Sequence, residues 1–304
     1  MLSRRQFVTS SLTAGVALAT QEATARSAKR TIVDAQVHLW KAESEDWKWV
    51  PGMKPQMPEP FTLEKLVALM DQAGVDRVVV VPPSWPGDRN DYALEASRRY
   101  PDRFAVMGRI PLKTPEAALL PKWREQPGML GVRLTFLGPA RAWLTDGTAD
   151  WFWPEAEKAD LPVMFLTDGQ NAQLARVAER YPRLQLIADH TGIGGNTPRE
   201  GRIADAISQT AALAKYPNVS VKLSAAPNYS SEAYPFRDFT PHIQRLFDAY
   251  GPKRCYWGSD MTNGYDKAAY RQRITHFTEE LRFLSEVDKD WIMSKSILER
   301  LRWG

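Results

Sequence analysis

Eight alternations of a short apolar segment with an amphipathic segment predict an α/β chain that forms a single (β/α)8 TIM-type barrel preceded by an export signal. The alternation fills residues 31–304, a length that suits one such barrel. Polar or charged side chains recur where seven of the eight predicted strands end. No Ser/Gly-rich linker and no internal repeat divides residues 31–304, so we expect one domain there.

The apolar segments predict the strands. The second reads Arg-Val-Val-Val-Val over 77–81, a β-branched run of the kind that a parallel sheet buries on both faces. The predicted strands span 31–38, 77–81, 104–110, 130–135, 162–167, 184–189, 219–224 and 255–258.

Amphipathic segments between the strands predict the helices. Gly74 stops the first helix, and prolines such as Pro182 and Pro217 separate later helices from the strands that follow. The predicted helices span 63–73, 91–100, 115–125, 150–159, 171–180, 203–215, 241–250 and 267–284, with a last one near 290–301.

Residues 1–28 have the three regions of an export signal. Arg4 and Arg5 stand near the start, a modest apolar stretch covers 11–20, and small residues continue to Ala28. The paired arginines and the nearby Phe7 resemble a twin-arginine signal. We expect a periplasmic or otherwise exported protein, the alternative being an ordinary N-terminal helix. The single cysteine, Cys255, excludes an intramolecular disulfide, which is consistent with folding before export.

The charge distribution argues against a nucleic-acid partner. Residues 1–30 hold five basic side chains and one acidic one, which account for the whole net charge of +4. The barrel segment is therefore balanced and has no basic stripe. No apolar run reaches the roughly 18–20 residues that span a bilayer. No G-x-G-x-x-G follows the first strand, which counts against an open dinucleotide-binding sheet.

Candidate functional residues lie at the predicted strand ends. Barrels of this type place their chemistry at the carboxyl ends of the strands, and buried charges are costly unless they are paired or used. The residues in question are His38, Arg109, Arg133, Thr167 with Asp168, His190, Lys222 and Asp260.

Five short motifs in order resemble one protein family. Together they are similar to the amidohydrolase-2 branch of the amidohydrolase-related superfamily, which includes sugar lactonases and 2-pyrone-4,6-dicarboxylate lactonase. The motifs are Asp-Ala-Gln-Val-His-Leu-Trp (34–40), Gly-Val-Arg-Leu (131–134), Ile-Ala-Asp-His-Thr-Gly (187–192), Val-Lys-Leu-Ser (221–224) and Trp-Gly-Ser-Asp (257–260).

The resemblance implies roles for four residues. His38 matches the second histidine of the first strand, and His190 matches the histidine of the sixth. Asp260 matches the strand-eight aspartate, which in the superfamily activates the attacking water as general base. Arg133 matches an arginine that binds a substrate carboxylate or carbonyl, a task that suits the guanidinium fork.

The departures from the family pattern concern metal binding. Gln36 replaces the first of the two strand-one histidines, and the fifth strand carries none. A catalytic zinc takes three protein ligands and a water. His38, His190 and Asp260 would supply three, so zinc or manganese stays an alternative to our expectation of no cofactor.

Without a metal the reaction has to be easier than amide hydrolysis. We expect a hydrolase that opens a lactone or related cyclic ester, with a carboxylated or sugar-derived small molecule as substrate. The imidazoles of His38 and His190, with Gln36 or Lys222 as further donors, would stabilise the oxyanion. Arg109 would join Arg133 in holding a substrate carboxylate. A homo-oligomer is left open.

Two other functions remain as alternatives at this stage. One is a metal-dependent decarboxylase or hydratase of the same superfamily, although the loss of a histidine at Gln36 counts against it. The other is a non-catalytic periplasmic binding protein on a decayed hydrolase barrel.

Each candidate residue also has a structural alternative. Asp260 could cap a loop, the two histidines could be core residues, and Lys222 could extend out of the barrel mouth. Arg133 could form a structural ion pair with Asp168 or Asp189. The aromatic loop 47–60 is interpreted as a lid over the barrel mouth, or as packing against its wall.

Overall fold

A computed structural model describes residues 29–304, and the expected export signal at 1–28 lies outside the described residues. Eight parallel strands form one sheet in which each strand pairs with the next along the chain. They are β1 (Val33–Val37), β2 (Arg77–Val80), β3 (Phe104–Gly108), β4 (Met129–Phe136), β5 (Val163–Thr167), β6 (Leu186–Ala188), β7 (Val219–Lys222) and β8 (Cys255–Tyr256). The predicted barrel architecture is confirmed.

The sheet closes on itself through two backbone hydrogen bonds. The amide of Ala35 in β1 donates to the carbonyl of Trp257 at 3.2 Å, and the amide of Asp260 donates to the carbonyl of Gln36 at 2.9 Å. These bonds fix the segment after β8 against β1. The carboxyl ends of the first and last strands therefore meet at one place.

Helices follow the strands on the outside of the barrel. The α-helices are α1 (Leu63–Ala73), α2 (Asp91–Arg99), α3 (Phe152–Lys158), α4 (Leu174–Arg180), α5 (Ile203–Ala212), α6 (Ala226–Tyr229), α7 (Thr240–Tyr250), α8 (Tyr270–Thr275), α9 (Glu286–Asp290) and α10 (Ser296–Leu301). Among residues 29–304, none of the helices has the length and apolar character needed to cross a bilayer.

Two predicted helices differ from the structure. The segment Ala117–Glu125 is a 3₁₀-helix, and Pro121 within it lacks the N–H that an α-helix would use there. The predicted helix 267–284 begins only at Tyr270 and passes into a π-helical turn at His276. Residues before Tyr270 belong to the loop after β8, because the guanidinium of Arg273 binds carbonyls of that loop.

An irregularity in β1 decides which side chains face the barrel axis. Val33 and Ala35 belong to the inner apolar cluster, whereas Val37 belongs to the outer cluster between sheet and helices. The pairing register of β1 with β2 shifts between Asp34 and Val37, so the strict alternation of sides is broken there. As a result the side chains of Gln36 and His38 lie near the carboxyl ends of the other strands.

The predicted lid 47–60 crosses the barrel mouth and also packs on it. The amide of Val50 donates to the carbonyl of Trp85 at 2.7 Å, and Thr262 donates to the side chain of Gln56. Trp47 is buried, whereas the turn around Met53 is exposed. Both expectations for this loop therefore hold in part.

The stability of the fold should decrease in acid because of His276. This imidazole is 1% exposed, contacts Phe236 and Phe277 edge to face, and has an Nε2 without a hydrogen-bond partner in residues 29–304. Burial lowers the pKa of His276 to about 4. In the unfolded chain the pKa of this histidine is ~6.5, so the unfolded state binds more protons than the folded state between the two pKa values. Above pH ~6.5 His276 has no effect on the free energy of unfolding. As the pH is lowered from there towards ~4, the free energy of unfolding falls by up to about 3 kcal/mol.

Urea unfolding of the wild type and His276→Phe at several pH values would check this. We expect His276→Phe to flatten the pH dependence in that window, since phenylalanine fills the same aromatic contacts without a proton to bind. His242→Gln, a change at a half-buried histidine of α7, should retain most of the slope. An identical slope in His276→Phe would contradict the assignment.

Candidate active site

A cavity of about 260 Å³ opens at the carboxyl ends of the strands. His38 after β1, Arg133 in β4 and His190 after β6 line it, which is where the sequence placed the chemistry. Further polar side chains of its wall come from β4, from the short helix α6 and from loops, namely Thr135, Asn228, Tyr229, Gln56, Ser84 and Asn263. Residue patterns carry no signal for most of these, because the tertiary course of the segments that follow the strands cannot be derived from them.

Three strand ends beside the cavity have left-handed backbone conformations. His190 after β6 has φ +50°, Ala225 after β7 has φ +69°, and Asp260 after β8 has φ +46°. Residues other than glycine rarely adopt these angles, and each instance costs on the order of 1–3 kcal/mol. Strain of this kind is retained where it places a side chain for function.

Asp260 lies between two imidazoles and is 1% exposed. Its Oδ1 is 3.5 Å from Nε2 of His38, and its Oδ2 is 3.5 Å from Nδ1 of His190. The side-chain amide of Asn263, three residues further on, donates to Oδ2 at 2.8 Å. Within residues 29–304, Oδ1 has no hydrogen-bond partner. A buried carboxylate oxygen is therefore left to accept a hydrogen bond from a substrate or a water.

The surroundings keep Asp260 ionised. Burial alone would raise its pKa, but His190, His38 and the hydrogen bond from Asn263 hold the pKa of Asp260 below its usual range. Burial lowers the pKa of His190, although Asp260 and Asp189 oppose the shift. The centre therefore combines a carboxylate with a neutral imidazole of His190 near neutral pH.

Hydrogen bonds define how the His38 ring is held. Its Nδ1 lies 2.6 Å from the carbonyl of Val81, which can only accept, so Nδ1 carries the proton. Its Nε2 lies 3.3 Å from Nε2 of Gln36. An amide nitrogen can only donate, so the Nε2 of His38 accepts from it. The expected role of His38 as an oxyanion donor is therefore not supported, because neither ring nitrogen has an N–H left for substrate.

A buried charge network lies next to this centre. Nζ of Lys222 is 3.0 Å from Oδ1 of Asp189, and Nε of Arg133 is 3.2 Å from Oδ2 of the same carboxylate. Burial would raise the pKa of Asp189, but Lys222 and Arg133 keep it below its usual value. Burial lowers the pKa of Lys222, and Asp189 opposes that change. The structural alternative of an Arg133–Asp189 pair is thus present in a side chain that also lines the cavity.

Asp34, the first residue of the β1 motif, has a structural role. Its carboxylate accepts from the amides of Gln36 and Ser259 and from the hydroxyl of Tyr270, at 2.8 to 3.0 Å. Asp34 is fully buried and holds the segment after β8 against β1. A Cβ on Gly258 would lie 3.0 Å from the Cβ of Gln36, so this close approach favours glycine.

Three predicted substrate-binding residues lie elsewhere than expected. Arg109 pairs with Asp88 at 3.0 Å and lines a separate surface groove, and it reaches the wall of the cavity only through a hydrogen bond of 3.2 Å from Nη1 to Thr135. Gln36 and Lys222 are fully buried and do not line the cavity. The reason is tertiary pairing, because Arg109 forms an ion pair with Asp88 and Lys222 forms one with Asp189.

The donor set does not fit a metal ion. Nε2 of His38 and Nδ1 of His190 lie 3.5 Å from different oxygens of Asp260. The lone pair on Nε2 of His38 already accepts from Gln36. Among residues 29–304, no cluster of three or more His, Cys, Asp or Glu side chains is arranged to hold a metal.

The family is decided by a match along most of the barrel. The profile of the amidohydrolase family matches residues 33–297. The chain belongs to the amidohydrolase family. The resemblance seen in the five motifs is therefore confirmed, and the protein is a hydrolase-type enzyme of this superfamily.

Relatives with known activities lie in the lactonase-like branch of the amidohydrolases. The chain is 28% identical over 237 residues to an L-fucono-1,5-lactonase of Burkholderia ambifaria, covering 75% of this chain and 79% of the relative. It is 29% identical over 232 residues to a 4-sulfomuconolactone hydrolase of Hydrogenophaga intermedia, covering 73% and 70%. A Burkholderia multivorans amidohydrolase crystallised with bound zinc shares the fold, with a TM-score of 0.75 at 19% identity over 90% of this chain and all of that one.

Proposed function

We propose that this amidohydrolase opens a lactone by general-base hydrolysis with Asp260 as the base. The observation that carries the proposal is the Oδ1 of Asp260, a buried carboxylate oxygen without a partner in residues 29–304, held between two imidazoles at the barrel mouth. The named activities of the two lactone-hydrolysing relatives support the same reaction class.

The proposed reaction begins with a water bound to Oδ1 of Asp260. The carboxylate takes a proton as the water oxygen attacks the lactone carbonyl and forms the tetrahedral intermediate. The C–O bond of the ring then breaks, and the proton on Asp260 passes to the departing ring oxygen. The product is the open hydroxy acid, and Asp260 is again ionised.

The oxyanion would be stabilised by donors that line the cavity. Ser224 lies 3.1 Å from Nδ1 of His190, and a hydroxyl that donates to Nδ1 leaves the Nε2–H of His190 to donate to the carbonyl oxygen. The guanidinium of Arg133 supplies a fixed positive charge in the same cavity.

The cavity wall suits a small substrate with one anionic or several hydroxyl groups. Among the described residues that line it, Arg133 is the sole Arg or Lys. The side-chain amides of Gln56, Asn228 and Asn263 offer donors and acceptors, and the ring of Trp85 offers an apolar face. These groups support a sugar-derived or monocarboxylated lactone.

The proposal is tested by hydrolysis of a panel of sugar lactones and carboxylated lactones, followed with a pH indicator. We expect turnover of at least one member that survives treatment with a chelator. Ligand binding without turnover across the panel would instead support a non-catalytic binding protein. The strained backbone at His190 and Asp260 and the unpartnered base favour catalysis.

Replacement of Arg133 should separate the two substrate classes. We expect Arg133→Met to raise KM for a carboxylated lactone roughly 10–100-fold, because a charge-assisted bidentate contact is lost, while KM for a neutral sugar lactone changes far less. Steady-state kinetics on both lactones measure this. Arg183→Met is the matched control, since the side chain of Arg183 is 79% exposed and does not line the cavity. Equal effects of the two variants would contradict a substrate contact by Arg133.

Export by the twin-arginine route stays a proposal that rests on residues 1–28. Assembly as a homo-oligomer stays a proposal as well.

A further inference from the structure

Lys222 and Gln36 form a polar contact beneath the cavity. Nζ of Lys222 lies 2.6 Å from Oε1 of Gln36 and 3.0 Å from Oδ1 of Asp189. All three side chains have no exposed surface. Burying an ammonium is costly, and a fold keeps one only where its partners compensate the charge.

The lysine fixes the orientation of the glutamine. An ammonium has no lone pair, so it can only donate, and the oxygen of the Gln36 amide must face Lys222. The amide nitrogen then faces Nε2 of His38 at 3.3 Å. The reverse orientation would set two donors against each other at Lys222. The chain of contacts therefore runs from Lys222 through Gln36 to His38.

The buried charges are already balanced. Two carboxylates, Asp260 and Asp189, lie near two cations, Lys222 and Arg133. A divalent cation at His38 and Asp260 would add two positive charges beside a buried ammonium. It would also have to displace the amide of Gln36 from the lone pair of His38.

We propose that Lys222 and Gln36 together take the place of a divalent cation in this centre. The ammonium supplies a fixed positive charge, and the amide that it orients donates to the lone pair on Nε2 of His38, the lone pair that a metal ion would need. Lys222 and Gln36 are positioning residues, and the centre they build rejects divalent metals. The effect on turnover rests on the proposed function, whereas metal binding can be measured without substrate.

The first experiment titrates the purified full-length protein with Co²⁺ alone and measures d–d absorption and the metal retained after desalting. The wild type should retain less than about a tenth of an equivalent. Gln36→His, which keeps the ammonium, should bind Co²⁺ at least about tenfold more weakly than Gln36→His/Lys222→Met, which should take up about one equivalent. Stoichiometric binding by the wild type, or equal binding by the two variants, would overturn the proposal.

A second variant decides the case even if the double variant does not fold. Gln36→Glu keeps the size of the side chain and an acceptor for Lys222, but it sets a carboxylate oxygen against His38 in place of the amide donor. We expect kcat on a hydrolysed lactone to fall about tenfold or more with KM little changed, as expected for a residue that acts on the base and not on the substrate. An unchanged kcat would overturn the positioning role. Failure of the proposed lactonase activity would leave the Co²⁺ result interpretable by itself.

Discussion

Asp260→Asn should reduce kcat for lactone hydrolysis roughly 10³-fold, the range in which a lost general base acts. Burial alone would raise the pKa of Asp260, but His190, His38 and Asn263 hold it below its usual range, and Oδ1 has no hydrogen-bond partner in residues 29–304. Asparagine has the same shape but cannot take a proton from water. KM should change little, because the proposed contact of Asp260 is with the attacking water and not with the substrate.

The fold should tolerate this change. Asp260 has φ +46°, a left-handed conformation that asparagine adopts as readily as aspartate. Circular dichroism and the thermal midpoint of Asp260→Asn should therefore match the wild type. Asp248→Asn on the exposed face of α7 is the matched control and should retain full activity. A kcat of Asp260→Asn close to that of the control would remove Asp260 from the role of base.

Lys222→Met should lower the free energy of unfolding by about 3 kcal/mol. Methionine fills the volume of the lysine stem, but Asp189 loses the closer of its two cations while staying fully buried. Gln36 loses the donor at 2.6 Å as well. Arg133 still contacts Asp189, so we expect a folded but weakened barrel. Urea unfolding at neutral pH measures the difference.

An exposed lysine provides the comparison. Lys158 is 76% exposed and lies 4.0 Å from Glu155, so Lys158→Met should cost less than about 1 kcal/mol. If Lys222→Met were as stable as Lys158→Met, the buried ammonium would be unnecessary for the fold. In that case the balance of charges around Asp189 would have been assigned wrongly.

Much of the fold followed from local patterns. The run of β-branched residues in β2 and the Gly74 stop of α1 gave those bounds to within a residue. Strand order and parallel pairing followed from the alternation itself, since consecutive strands joined by helices pair in sequence. The helix predicted over 267–284 was too long because Arg273 binds the loop after β8, a contact that periodicity does not report.

Part of the candidate site was also predictable. His38, His190 and Asp260 stand at strand ends, as predicted. The two imidazoles lie on either side of the Asp260 carboxylate. Asn263 was missed, although its place three residues after Asp260 in the same loop was a usable signal. Asp189 was predicted as one of two possible ion-pair partners of Arg133, whereas its pairing with Lys222 was not predicted.

The sequence by itself determined the barrel and the chemical types of side chain at each strand end, because strand and helix periods and motif order are local properties. Only the tertiary structure decided what those side chains do. Lys222 meets Gln36 across 186 positions, and Arg109 pairs with Asp88 and contacts the cavity wall only at Thr135. A register shift in β1 sets the direction of Gln36 and His38. Such outcomes depend on the burial of charges and on pairings between distant strands, for which residue spacing carries no information.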